Sequence, residues 1–326
     1  MIPYFDAHCD TLYRCETTGN EPDFVIDGDQ QAQREYFSLS RCLRRNGGHV
    51  DLTRGKRFCA YGQFFAIFGD VAHMAPGAAW DYTCHMHDRF LREMEENADI
   101  AAHCITGTDV ERTVKSGKIA ALLSIEGADL LDCDREKISE VADWGVRLIN
   151  PVWNNPNRIS GTNCRDTDRG LSDYGRDFIR AMEAQKIYAD VSHLSDAGFW
   201  DLIHITKAPV IASHSNSRVL CPHPRNLTDD MFLAIRDSGG AVGINLYRDF
   251  VGGDRMEDLI RHVEHFLNLG GEKTLCLGGD LDGCEVLAAG MKGIEDVSRL
   301  YTALKERGYG EGLLCDIFWN NLKNLL

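Results

Sequence analysis

Short β-rich runs recur along this chain, and helix-like stretches separate most of them. The runs are Ile2–His8, Phe58–Phe65, Ile119–Ile125, Arg147–Trp153, Ile187–His193, Pro209–Ser215, Ala241–Leu246 and Thr274–Gly279. Between them lie Tyr82–His103, Asp134–Trp144, Tyr174–Gln185, Asp196–Thr206, Thr228–Ser238 and Met256–Leu269. Apolar spacing of three and four marks these as helices, as at Phe232 and Ile235, or Leu259, Val263, Phe266 and Leu267. Ser195, Thr228 and Asp254 are placed to cap helix starts, and Gly239 and Gly270 to end helices. Eight strands alternating with helices predict a (β/α)8 TIM barrel rather than a doubly wound sheet. The gap after the first run is too long for a simple βα unit, so Thr17–Gly55 is expected to be an insertion over the barrel mouth. Gly290–Arg307 and Glu311–Leu325 are two more helical segments, expected to close the outer ring. No repeat or low-complexity stretch interrupts the pattern, and residues 1–326 read as one domain.

The composition excludes several functions. The chain has 326 residues, 44% of them apolar, enough to bury a full core. Its net charge of −15, from 50 acidic and 35 basic residues without a basic cluster, argues against nucleic acid and anionic membrane partners. The same charge suits a pocket that concentrates cations, although most of these acids simply keep a protein soluble. The 12 cysteines include no C-x-x-C pair, so a zinc ribbon or thioredoxin-like motif is absent. No secretory signal opens the chain, and no apolar stretch approaches the roughly 20 residues that span a membrane. A cytoplasmic setting is expected, with the cysteines acting as small buried apolar residues.

Chemistry-bearing residues collect at the C-terminal ends of the expected strands, where barrel enzymes carry their active sites. They are His8 and Asp10, Glu126, Trp153, His193, His214 and Asp280. Along a strand His8 and Asp10 project the same way, so the pair suits one divalent cation, and His193 with His214 suits a second. Each histidine alone reads best as a hydrogen-bonded core residue; seven such placements together do not read as packing. Glu126 closes the apolar run Ala120–Ile125, where an unpaired carboxylate would be very costly, so a ligand role is favoured over a salt bridge. Asp280 follows Gly278-Gly279 and suits proton transfer, while Asp282 reads as a turn former. Arg225, in the rigid loop Pro222-His223-Pro224-Arg225-Asn226, suits either a substrate carboxylate or a structural salt bridge. His85 and His87 are expected to be solvent-exposed, and His49, His73, His103, His204, His262 and His265 receive no role.

These segments carry a resemblance. D-A-H-C-D-T, S-I-E-G-A-D, D-V-S-H-L-S-D, V-I-A-S-H-S-N-S-R-V-L-C-P-H-P-R-N-L and G-G-D-L-D-G resemble, in order, the membrane (renal) dipeptidase family of metallopeptidases. The likeness extends from residue 2 to Asn320-Asn321-Leu322, and the block from Ser213 to Leu227 is its most specific part. The resemblance implies a (β/α)8 barrel with two zinc ions per chain that cleaves dipeptides, often with a D-residue at the C-terminal position. It also implies His8 and Asp10 on one zinc, His193 and His214 on the other, and Glu126 bridging both. Arg225 would bind the substrate's terminal carboxylate, and Asp280 would handle protons beside a hydroxide held between the metals. Homodimers are common in the family, which leaves a homodimer open here.

One position departs from the family pattern. The fourth strand there ends in a histidine that contacts the substrate carbonyl, in a context like L-T-L-T-H-N. Leu148-Ile149-Asn150-Pro151-Val152-Trp153-Asn154-Asn155 puts Trp153 at that place. Indole donates one N–H but neither carries a proton nor ligates metal, so Asn154 or Asn155 is left to supply a donor. The expected activity is thus a binuclear zinc dipeptidase for small peptides with a free C-terminal carboxylate. A hydrolase of N-acyl or N-carbamoyl amino acids, or a non-catalytic ligand-binding barrel, are the alternatives.

Overall fold

The structure, a computed structural model, describes residues 1–17 and 42–326. The larger part of the expected insertion, residues 18–41, lies outside the described residues. Among the described residues nine parallel strands form one sheet: β1 (Pro3–Cys9), β2 (Ala60–Ile67), β3 (Ala101–His103), β4 (Ile119–Glu126), β5 (Val146–Asn150), β6 (Tyr188–Ala189), β7 (Ile211–Ala212), β8 (Ala241–Ile244) and β9 (Leu275–Leu277). Their order is β6-β5-β4-β2-β1-β9-β8-β7, and a parallel bridge between Asp190 and Ile211 joins the two ends. The result is a nearly closed eight-stranded TIM barrel wrapped by helices, in agreement with the sequence pattern.

β3 was not anticipated. The helix expected to run to His103 stops at Glu96, where the Asn97 side chain donates to the Glu93 carbonyl at 2.8 Å. Ala101–His103 then pairs with Ile119–Ala121. β2 occupies the other edge of β4 from Ala120 to Ile125, so β3 takes the lower half of the edge whose upper half holds β5. It is an outrigger of the barrel rather than a stave.

β6 and β7 have two residues each, where longer runs were expected. The Asp190 carboxylate explains the shortening. It accepts the backbone N–H groups of Ser192 and Ser213, both at 3.0 Å, which a regular ladder would have used. Ser195 and Thr228 cap helices as expected, accepting from Gly198 and Met231. Asp254 does not: Arg255 occupies the cap, and its N–H donates to Asp258. Gly239 and Gly270 follow their helices with φ of 76° and 80°, the left-handed conformation that glycine adopts freely.

The core has two shells. Inside the staves pack Phe5, Ala7, Phe64, Ala120, Leu122, Leu148, Ile211, Ala241 and Cys276; between staves and helices packs a larger cluster. Along β4 the inward residues are therefore Ala120, Leu122, Ser124 and Glu126, which brings the glutamate to the rim of the interior. The C-terminal segment continues the outer shell through Leu314, Ile317 and Phe318, with Phe318 edge-on to Tyr301, but its last residues do not stay beside the staves. Instead Trp319 and Leu322 pack under the inner cluster, Trp319 lying 5.3 Å from the Phe5 ring, and the Asn321 side chain donates to the Leu275 carbonyl at 2.8 Å. This segment plugs the N-terminal end of the barrel.

Candidate metal centre

A bulge aims the first histidine. Phe5 and Ala7 point inward, so strict alternation would turn His8 outward. Between Asp6 and Cys9, however, β1 advances three residues while β2 advances two, from Gln63 to Phe65. The extra residue puts His8 on the inner side beside Ala7, a use of bulges that recurs next to active sites. Asp6 fixes the distortion: it is fully buried and accepts the N–H groups of His8 and Gly279, both at 2.9 Å, and the Tyr4 hydroxyl. The Asp10 N–H donates to the Leu281 carbonyl at 2.8 Å, so the end of β1 is laced to the segment that carries Asp280.

His8, Asp10, Glu126, His193 and His214 converge at the barrel mouth, each less than 5% exposed. His8 Nε2 lies 3.2 Å from Asp10 Oδ2 and 3.6 Å from Glu126 Oε2. Glu126 Oε1 lies 2.8 Å from His193 Nε2 and 3.7 Å from His214 Nε2. One oxygen of Glu126 thus faces each histidine group. Ligand atoms of His8, Asp10 and Glu126 all fall within 4.8 Å of one another, as do those of Glu126, His193 and His214.

The surrounding hydrogen bonds set the tautomers. Asn154 Oδ1 can only accept, so His193 Nδ1, 3.0 Å away, carries the proton. Ser213 Oγ gives its hydrogen to Asp190 and accepts from His214 Nδ1 at 2.6 Å. Both Nε2 atoms therefore turn lone pairs toward Glu126 and toward each other, at 3.2 Å. Burial, with Arg225 and His8 nearby, pushes both imidazoles well below the usual histidine range and keeps them neutral. His8 behaves oppositely. Burial disfavours its charge, but Glu126 and Asp10 outweigh that and hold its pKa up at about 10. Imidazole and carboxylate ligand atoms crowded this closely, with the Nε2 lone pairs of His193 and His214 turned inward, fit a divalent cation set.

Arg225 and Asp280 border the same cluster. Arg225 is 4% exposed, its Nη2 lies 3.0 Å from His193 Nε2, and its Nη1 has no hydrogen-bond partner. The Asn226 side chain anchors its loop through the Cys221 and Phe250 carbonyls, at 3.0 and 2.9 Å. Asp280 accepts from Asn245 Nδ2 at 3.1 Å, and burial raises its pKa even though His8 and Arg225 draw it down. A side chain at Gly283 would push into the Asp10 and Asp280 carboxylates and displace them.

Trp153 stands three residues past the end of β5, edge-on to Phe68 at 4.8 Å. It divides two cavities that both reach Glu126. One, of about 350 Å³, is lined by Asp10, His193, Arg225 and Asp280 among others; the second, of about 190 Å³, by Asp70, Asp129, Leu130 and Asn155. Asn154 lines the larger one while orienting His193.

The residue pattern of Membrane dipeptidase (peptidase family M19) matches residues 1–325. The chain belongs to this family. It is 36% identical to an uncharacterised protein from the pqqA 5′ region of Klebsiella pneumoniae, over 68% of this chain and 87% of that protein. It is similar to a family M19 dipeptidase of known structure, with a TM-score of 0.83 and 27% identity over 99% of this chain and 97% of the other. It is also similar to a Rhodobacter sphaeroides metallopeptidase bound to a phosphinate mimic of L-Ala-D-Ala, with a TM-score of 0.83 and 26% identity over 99% and 98% of the two chains. The protein is a metal-dependent dipeptidase of this family, and among its described residues no helix is long and apolar enough to cross a membrane.

Some residues of this dipeptidase centre escaped sequence reasoning. Asp6 and Asp190 tie the histidine segments down from below, and Ser213 sets the His214 tautomer. The signal was present as D-x-H and D-x-x-H, the same short spacing that singled out His8 and Asp10. Asp282 also does more than form a turn: it accepts from Thr11 Oγ1 at 2.6 Å and from the His49 N–H at 2.7 Å, joining the described part of the insertion to the mouth. His87 is not a free surface group but stacks on Trp144 at 4.2 Å.

Proposed function

We propose that the protein is a binuclear zinc dipeptidase for dipeptides with a free C-terminal carboxylate, L-D dipeptides among them. The observation that carries this reading is Glu126, with one oxygen toward His8 and Asp10 and the other toward His193 and His214. His8 and Asp10 would hold one ion, His193 and His214 the second, and Glu126 both. Zinc held by these residues would polarise the scissile carbonyl and provide a nucleophilic water near neutral pH. The chain's own residues do the rest. Arg225 turns its unpartnered Nη1 to the substrate's carboxylate. Asp280, held through one oxygen by Asn245, has the other free to deliver a proton to the leaving amine. Trp153 walls the larger cavity, and the smaller one beyond it lies across the barrel from the Arg225 loop, on the side open to an N-terminal side chain. The mimic bound by the Rhodobacter relative supports the L-D substrate class. All twelve cysteines are free thiols, which supports a reducing, cytoplasmic setting.

Glu126→Gln tests the reading. Elemental analysis of the wild type should find two zinc equivalents, and the variant should lose both together along with dipeptide hydrolysis. Full occupancy and activity in the variant would show that Glu126 is not a shared ligand.

A further inference from the structure

Asn150 is a buried polar residue at the metal centre to which nothing above gives a task. It ends β5, is 1% exposed, and its Nδ2 has no hydrogen-bond partner. The β4–β5 register sets it directly against Glu126. Paired residues of neighbouring strands project to the same face, and Leu148, two positions earlier, belongs to the inner cluster. The Asn150 carboxamide therefore stands beside the Glu126 carboxylate on the inner wall. It lines neither cavity at Trp153, so it is placed to touch the protein's own groups rather than substrate.

Asparagine is a poor choice for this position on structural grounds. It is disfavoured in strands, and a buried amide donor left unsatisfied destabilises the fold. Glu126, for its part, needs a donor. The two histidines nearest its Oε1 carry their protons on Nδ1, pointing away, and give it none. Ligated carboxylates are held by further hydrogen bonds, without which their oxygens are free to swing.

We propose that Asn150 is a positioning residue whose Nδ2, without a partner in the metal-free structure, donates to the Glu126 carboxylate when the site is loaded, fixing the orientation in which its two oxygens serve separate ligand groups. This rests on the reading of Glu126 as a shared ligand.

Asn150→Thr and Asn150→Val test it as a pair. The two side chains have nearly the same shape, both suit a strand, and only threonine keeps a donor. Zinc affinity is measured by competition with a chromophoric chelator, and melting temperature on the zinc-free proteins. Asn150→Val should bind zinc roughly 10- to 100-fold more weakly than the wild type, the range for lost supporting bonds, without a lower zinc-free melting temperature. Asn150→Thr should recover most of that affinity. Equal zinc affinity of the Thr and Val proteins overturns the proposal. The single Glu126→Gln protein reports separately on the shared-ligand reading.

Discussion

Replacing Arg225 by methionine removes the charge that would recognise a substrate carboxylate while keeping an unbranched stem beside the Phe250 ring, over which the guanidinium lies at 5.4 Å. The expected loss follows from the side chain's surroundings. At 4% exposure a charge-assisted bond is little screened, and such a bond contributes about 1.5–3 kcal/mol. Nη1 has no partner, so one bond to the carboxylate sets the lower bound. The range converts to a roughly 10- to 150-fold fall in kcat/KM, expressed mainly in KM. The assay compares an L-L dipeptide with its C-terminal amide, for wild type and variant. The wild type should prefer the free acid by about that factor, and the variant should treat the two nearly alike. A variant that keeps the wild-type preference would show that the carboxylate is bound elsewhere and that Arg225 serves only His193.

Asp280→Asn should keep both zinc ions and lower kcat by about 10²–10⁴-fold, because the amide cannot shuttle a proton; zinc loss by elemental analysis would instead make Asp280 a ligand. Trp153→Ala should broaden tolerance for bulky substrates with only a modest loss of kcat on the best one. If Trp153→Ala and Trp153→Phe both lose about a hundredfold, the indole N–H rather than the wall is what matters. The metal-free protein should lose stability as pH rises from about 7 toward 10. His8 is held protonated in the fold, with its pKa raised from 6.5 to about 10, so its contribution is complete below the unfolded value and vanishes above the folded one. A zinc-loaded sample should show no such decline, since metal takes the place of that proton; parallel melting curves across this range would refute the argument.

The strand ends were the legible part of this chain. Eight of the nine strands announce themselves as β-branched or apolar runs, and the residues that follow them carry the cluster. What period-two reading missed depends on single-residue register. From Phe5 and Ala7 inward, strict alternation would have aimed His8 into the helical shell; only the extra residue opposite Gln63–Phe65 reverses it. β3 was hidden because Ala101-Ala102-His103 is short, lacks β-branched residues and follows a strong helical pattern without a glycine. The short β6 and β7 arise from a carboxylate competing for ladder donors, and composition does not reveal which way the Asp190 side chain turns. Asn150 reads as an unremarkable polar residue until the register sets it against Glu126.

The plugged end of the barrel has a kinetic side. With Trp319 and Leu322 packed beneath Phe5 and its neighbours, that end of the described barrel is filled, which leaves the mouth to substrate and to both amino-acid products. On the proposed reading the carboxylate half of the dipeptide would sit on Arg225 and the other half toward Trp153, and both line the same cavity. Departure would then be ordered: the N-terminal amino acid should leave first, and the C-terminal one should linger on the arginine and obstruct the next dipeptide. Free amino acid should therefore inhibit competitively with substrate, and the amino acid amide should not.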